Sequence, residues 1–126
     1  MDFYVKYHGP LGGGGGGGSA LKVIGSRSSP ISITAAGGIS ITGNSAITKI
    51  YVVGSGGPVI VTANPRISAG SSDGQMLIIQ GRSDTNTVRL NDGNGLVLNG
   101  PCILTADLIL SLSWDGTNWV EISRQN

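Results

Sequence analysis

Residues 72–123 read SDGQMLIIQGRSDTNTVRLNDGNGLVLNGPCILTADLILSLSWDGTNWVEIS, and this stretch decides the fold class. Short runs of Ile, Leu and Val alternate with four turn-forming clusters: Asp73-Gly74, Asp92-Gly93-Asn94-Gly95, Asn99-Gly100-Pro101 and Asp115-Gly116-Thr117-Asn118. Gly adopts positive φ freely, and Asp and Asn bond to their own backbone, so such clusters punctuate strands. The last pair of strands is the clearest. Asp107-Leu-Ile-Leu-Ser-Leu-Ser-Trp114 alternates apolar and small polar residues, and Asn118-Trp-Val-Glu-Ile-Ser123 returns as its partner. An Asp-Gly loop between alternating segments predicts a β-hairpin. Trp114 and Trp119 flank its turn and are expected to pack across the strands, in the core or at its rim. Upstream of the hairpin, strands are predicted over Gln75–Gln80, Thr87–Leu90, Leu96–Leu98 and Cys102–Leu104.

Working outward, Ile31-Ser-Ile-Thr34 and Ile39-Ser-Ile-Thr42 are near copies separated by Ala35-Ala-Gly-Gly38. Their alternation is that of half-buried strands. Strands are also expected at Ala46–Val53 and Val59–Thr62, with Gly54-Ser-Gly-Gly-Pro58 as the turn between them, and a shorter one starts at Leu21. Residues 63–74 read as a loop. Gly and Pro interrupt every window in which an amphipathic helix would run for three turns. A short strand and a Gly-rich turn every eight to twelve residues suits a sandwich, a barrel or a β-solenoid.

Glycine occurs 22 times in 126 residues, against a usual share of about 7%. Only six side chains are aromatic, so each strand brings little apolar volume to the core. A domain of this size buries only about two thirds of its unfolded surface, which favours completing the core by oligomerisation. The expected fold is therefore all-β. It comprises a compact antiparallel sandwich- or barrel-like body of short strands over residues 21–126, an extended N-terminal arm over residues 1–20, and a homo-oligomeric assembly.

The arm has its own character. Met1-Asp-Phe-Tyr-Val-Lys-Tyr-His-Gly-Pro10 is the densest aromatic segment, and Leu11 leads from it into seven glycines, Gly12 to Gly18. A heptaglycine carries the largest backbone entropy and no side chain to bury, so it separates the aromatic peptide from the body. Phe3, Val5 and Tyr7 would share one face of an added strand. Phe3, Tyr4, Val5, Tyr7 and Leu11 are the expected partner-binding residues.

Chemistry is sparse. A net charge of +1 gives no field for nucleic acid or an anionic membrane. No apolar run is long enough to span a bilayer, and the N-terminus does not read as a secretory signal. His8 is the single histidine and lies far from any second ligand, so no metal and no Ser-His-Asp set is expected. Cys102, flanked by Pro101, Ile103 and Leu104, reads as a buried inert thiol. Gly54–Pro58 lacks the helix and the Lys-Ser/Thr pair of a phosphate loop. Asn91–Gly95 lacks the spaced acids of a calcium loop. The carboxylates Asp73, Asp84, Asp92, Asp107 and Asp115 fall in turns, and Glu121 is the sole glutamate. No enzyme activity and no cofactor are expected.

Four phrases carry a resemblance: Gly74-Gln75 opening a strand, Ser83-Asp-Thr-Asn-Thr-Val88, Asn91-Asp-Gly-Asn-Gly-Leu96, and Trp114-Asp-Gly-Thr-Asn-Trp-Val-Glu121. Over roughly residues 36–124 the chain resembles a β-rich module of tailed-bacteriophage virion structural proteins, including head decoration or cement proteins, head fibres and tail-fibre tips. The resemblance implies a homotrimer on the capsid surface, whose partners are its own copies and the major capsid protein or another virion protein. The alternative it leaves open is a head- or tail-fibre tip that binds host surface glycans, with Trp119, Tyr51 and turn Asn or Asp side chains meeting the sugar.

Overall fold

The computed structural model describes residues 20–43 and 45–126. Among them there are strands and turns and no helix, and the strands wind into a β-solenoid of about four turns. The first coil holds β1 (Leu21–Ile24) and β2 (Ile31–Ile33), which lie along the same edge of β3 (Ile47–Gly54), both parallel to it. β3 and β4 (Val59–Ile60) belong to the second coil, and β5 (Met76–Gly81), β6 (Val88–Leu90) and β7 (Leu96–Val97) to the third. β3 pairs parallel with β5, and β4 pairs parallel with β6. In both ladders the partners are 29 residues apart, Ile47 with Met76 and Val59 with Val88. A third wall is thinner, with Ile39 bridging Ile67 in parallel and Arg66 N–H donating to the Asn94 carbonyl at 3.0 Å.

After β7 the chain turns back. β8 (Cys102–Leu104) runs antiparallel to β6, and β9 (Ile109–Trp114) runs antiparallel to β5. β10 (Trp119–Gln125) then pairs antiparallel with β9 and parallel with β7. Because β9 belongs to the first wall and β7 to the third, the β9–β10 hairpin spans the end of the coil stack and closes it.

Period-two alternation builds the core. β3 and β9 expose and bury every second residue, as pleated strands with one covered face must. Ile24, Ile50, Ile79 and Leu110 pair in register across four strands to form an inward stack. Leu90 and Cys102 do the same on the second wall. Each fully buried Ile or Leu contributes about 1.5–3 kcal/mol relative to exposure. Trp119 is wholly buried, with its ring 5.3 Å from that of Trp114 and its Nε1–H donating to the Ser68 carbonyl at 3.0 Å.

The all-β expectation holds, and the antiparallel sandwich or barrel is corrected to a solenoid. Apart from the Asp115–Asn118 hairpin, the clusters that read as turns between strands mostly bend the chain around a corner onto the next wall. Gly54–Pro58 is such a corner, since β3 pairs with β5 while β4 joins a different sheet. Gly54 is required by close packing there: a Cβ would sit 2.2 Å from the Gly57 carbonyl oxygen. The near copies also separate. Ile31–Ile33 is a strand, whereas Ile39 makes only a bridge on another wall of the same coil. The hairpin at Asp115–Asn118 forms as expected, with Trp114 opposite Trp119.

Candidate functional site

The arm residues Phe3, Tyr4, Val5, Tyr7 and Leu11, together with His8 and the heptaglycine, lie outside the described residues. The point where the arm joins the body is described. The Ala20 carbonyl accepts from Ile47 N–H at 3.0 Å, which sets the chain into β1 beside β3. Lys22 Nζ donates to the Thr42 carbonyl at 3.0 Å and to Thr42 Oγ1 at 2.7 Å, fixing the edge of this first coil. Leu21 and Val23 are 51% and 53% exposed and Ile31 is 37% exposed. In register with Leu21 and Val23, the outward rows Leu21–Ile47–Met76 and Val23–Lys49–Ile78 continue across the wall, whereas Ile31 pairs with buried Val52. Lys49 is the single charge in these rows, and its Nζ lies 4.7 Å over the Tyr51 ring. This outer wall is therefore mainly apolar, and it begins where the arm ends.

The six described carboxylates are dispersed, and five hold the backbone or a cation. Asp84 accepts from Ala106 N–H, and Asp92 from Leu98 N–H. Asp115 accepts from Thr117 and Asn118 N–H inside the hairpin turn, and those bonds hold its carboxyl below the usual range. Asp107 has a positive φ of 66° and meets Gln80, Arg82 and Arg27. The Gln80 amide bond, then the two arginines, lower its pKa. Glu121 is lowered first by Arg124, which grips it through two bonds of 2.7 Å, and then by Asn99 N–H. Asp73 sits alone on an exposed corner. Among the described residues no group of three or more His, Cys, Asp or Glu is placed to hold a metal.

Two arginines do work that the sequence reading missed. Arg66 donates to the carbonyls of Val61, Asn91 and Asp92, so a guanidinium stitches the second coil to the third. It thereby occupies carbonyl oxygens of the Asn91–Gly95 turn that a calcium ion would need. Arg124 donates to the carbonyls of Asn99, Gly100 and Pro101 while paired with Glu121. That clasp holds the turn at which the winding reverses. Both arginines sit near Pro or Gly clusters whose carbonyls lack ladder partners, and this was the available signal. Cys102 is fully buried, and burial pushes its thiol pKa up.

The glycan platform expected at Trp119 is absent, because that ring is buried. A different concavity appears at the corner between the second and third coils. It has a volume of about 310 Å³ and is lined by Ser45, Ala46, Ser71, Ser72, Asp73, Gly74 and Gln75. Gln75 is 5% exposed; its Oε1 accepts from Ser71 N–H at 2.7 Å and from Ser71 Oγ–H at 3.1 Å. Its Nε2, and the Oγ1 of buried Thr48, have no hydrogen-bond partner.

No protein-family model matches the chain, and a search of the curated proteins finds no match either.

Proposed function

We propose that this protein is a non-enzymatic virion structural component, a homotrimeric decoration or cement protein that attaches to a phage capsid surface through its N-terminal arm. The observation that carries this reading is the asymmetry of the body. One end of the solenoid is closed by the hairpin, while the arm joins at the other, beside an outer wall of Leu21, Val23, Ile47, Met76 and Ile78. Apolar surface of this kind supports association between copies. The residues that carry the resemblance to the virion module lie in the turns and strands of that body. Dispersed carboxylates, each committed to a turn or left alone on a corner, favour a scaffolding role over catalysis.

Three arms on one trimer would each bind modestly and together bind firmly, because the second and third engage at high local concentration. Removing residues 1–18 tests this. The truncated protein should sediment as a folded trimer and fail to bind capsids that the full chain decorates. Full occupancy by the truncated protein would refute attachment through the arm, and a monomeric full chain would refute the trimer.

A further inference from the structure

The chain contains two Asn-Gly pairs, Asn94-Gly95 and Asn99-Gly100, which the sequence does not tell apart. We propose that the fold makes Asn99-Gly100 a self-modification site, where the turn that reverses the winding converts itself to isoaspartate and loosens the Arg124 clasp. Asn is a chemically labile residue, and a following Gly offers no side chain to hinder attack. The reaction needs only water. The Gly100 nitrogen loses its proton to hydroxide and attacks Asn99 Cγ, forming an N–Cγ bond. The Cγ–Nδ2 bond then breaks, and the amide nitrogen takes a proton from water and leaves as ammonia. Water adds to the five-membered imide at either carbonyl. Opening at the main-chain carbonyl leaves isoaspartate, with the backbone routed through Cβ and Cγ.

Three features single out the second pair. Asn99 and Gly100 are both exposed, and a Cβ on Gly100 would meet nothing within 4 Å, so water and the attacking geometry have room. The hydrogen bonds of this pair run through Asn99 N–H, which donates to Glu121 at 2.9 Å, and through both main-chain carbonyls, which accept from Arg124 Nη2 at 3.3 and 3.0 Å. The two reacting groups, the Asn99 side-chain amide and the Gly100 N–H, have no partner among the described residues. Lastly, the Asn99 carbonyl belongs to the peptide bond whose nitrogen must lose its proton. A guanidinium on that oxygen favours the anion so formed.

Asn94 differs on each count that matters. Its Nδ2 donates to the Ala63 carbonyl at 3.3 Å, so the side chain must let go before it can be attacked. Its main-chain carbonyl accepts from a neutral donor, Arg66 N–H at 3.0 Å, and the Gly95 carbonyl accepts from Trp119 N–H at 2.9 Å. One hydrogen bond to break first is worth up to about tenfold in rate.

The product acts on the clasp. Isoaspartate adds one carbon to the backbone and turns the Asn99 main-chain carbonyl into a carboxylate beside Glu121. The carbonyls of Asn99, Gly100 and Pro101 all accept from one guanidinium, so a lengthened chain cannot keep all three in place. The new carboxylate also competes with Glu121 for Arg124. Losing one bond to a charged donor is worth about tenfold in an opening equilibrium. The closed end of the solenoid therefore loosens with the age of the chain, while the first coil is untouched.

The experiment ages the full-length chain for days at mildly alkaline pH, with and without unfolding urea, and maps both pairs by peptide mass spectrometry and enzymatic methyl-labelling of isoaspartate. In the folded chain Asn99 should lose ammonia about tenfold faster than Asn94. In urea that preference should collapse. Aged folded chains should then show amide exchange at Leu98–Cys102 raised about tenfold, and Asn99→Ser, which removes an exposed side chain without bonds of its own, should show no such rise. Equal rates at the two pairs in the folded chain, or a preference that survives urea, would overturn the site. Unchanged exchange in modified chains, or the same rise in Asn99→Ser, would overturn the loosening of the clasp.

Discussion

At the hairpin end, Trp114, Trp119, Glu121 and Arg124 close the core with two rings and an ion pair, whereas the first coil presents Leu21, Val23 and Ile31 to solvent. The outer strands of the first coil contain no aromatic residue. A stacked-coil fold depends on neighbour contacts, so its terminal layers need caps. Here one cap is built into the chain, by reversing the winding and laying β10 between β9 and β7. The other end is a parallel edge with apolar side chains beside it, the kind of surface that associates. Aromatic and ionic closure is thus concentrated at one end and the open parallel edge at the other, while exposed apolar side chains occur at both, Ile122 at 54% against Leu21 at 51%.

The largest way to break this contrast is Trp119→Ala. It removes a fully buried ring and leaves the Ser68 carbonyl without its donor, so urea unfolding should show a loss of about 3–5 kcal/mol.

Acid should erode the contrast next. Glu121 and Asp115, both at the hairpin end, have folded pKa values below their ordinary 4.5 and 3.8. A depressed carboxylate contributes stability that is present above its unfolded pKa and lost as pH falls through the folded one. Stability should therefore decline as pH drops below about 4.5, with amide exchange rising first around Asn99–Pro101 and the Asp115 turn. Glu121→Gln should lower stability at neutral pH and flatten that acid decline. An unchanged acid profile in this variant would show that the clasp contributes nothing to it.

The smallest effect on the body is expected from the double change Leu21→Ser and Val23→Ser. Both side chains are about half exposed, so monomer stability should move by no more than about 0.5 kcal/mol. Sedimentation should nevertheless show dissociation at a higher protein concentration than for the parent chain. If association is unchanged, this wall is not the contact surface.

Most strands, and the hairpin above all, were legible in the sequence because their signals are local. Asp115-Gly116 names its own turn, and the alternation in Ile109–Trp114 names its buried face. The stacking was not legible. Period two says which residues face inward and leaves open which strand lies alongside, and the 29-residue spacing is masked by unlike partners such as Thr48 with Leu77 or Tyr51 with Gln80. Nor could spacing reveal that the Asn99-Gly-Pro101 turn, and not Gly54–Pro58, reverses the winding, because the donor that holds it comes from Arg124, 23 residues beyond Pro101. The same limit hid the corner at Gln75, whose neighbours Ser45 and Ala46 belong to the preceding coil.

The guanidinium of Arg66 makes one corner of this molecule a ruler. Its three carbonyl partners hold Val61, Asn91 and Asp92 around one guanidinium, so an added residue between Asn91 and Asp92 would pull a donor off its acceptor. The corner at Ser55–Gly57 has no such side-chain tie, and a Cβ on Gly56 would meet nothing within 4 Å. Loop length is thermodynamically cheap where no bond counts it. Foreign peptide spliced after Gly56 would hang outside the coil stack while the walls keep their register, which makes this corner the natural place to carry cargo on the body.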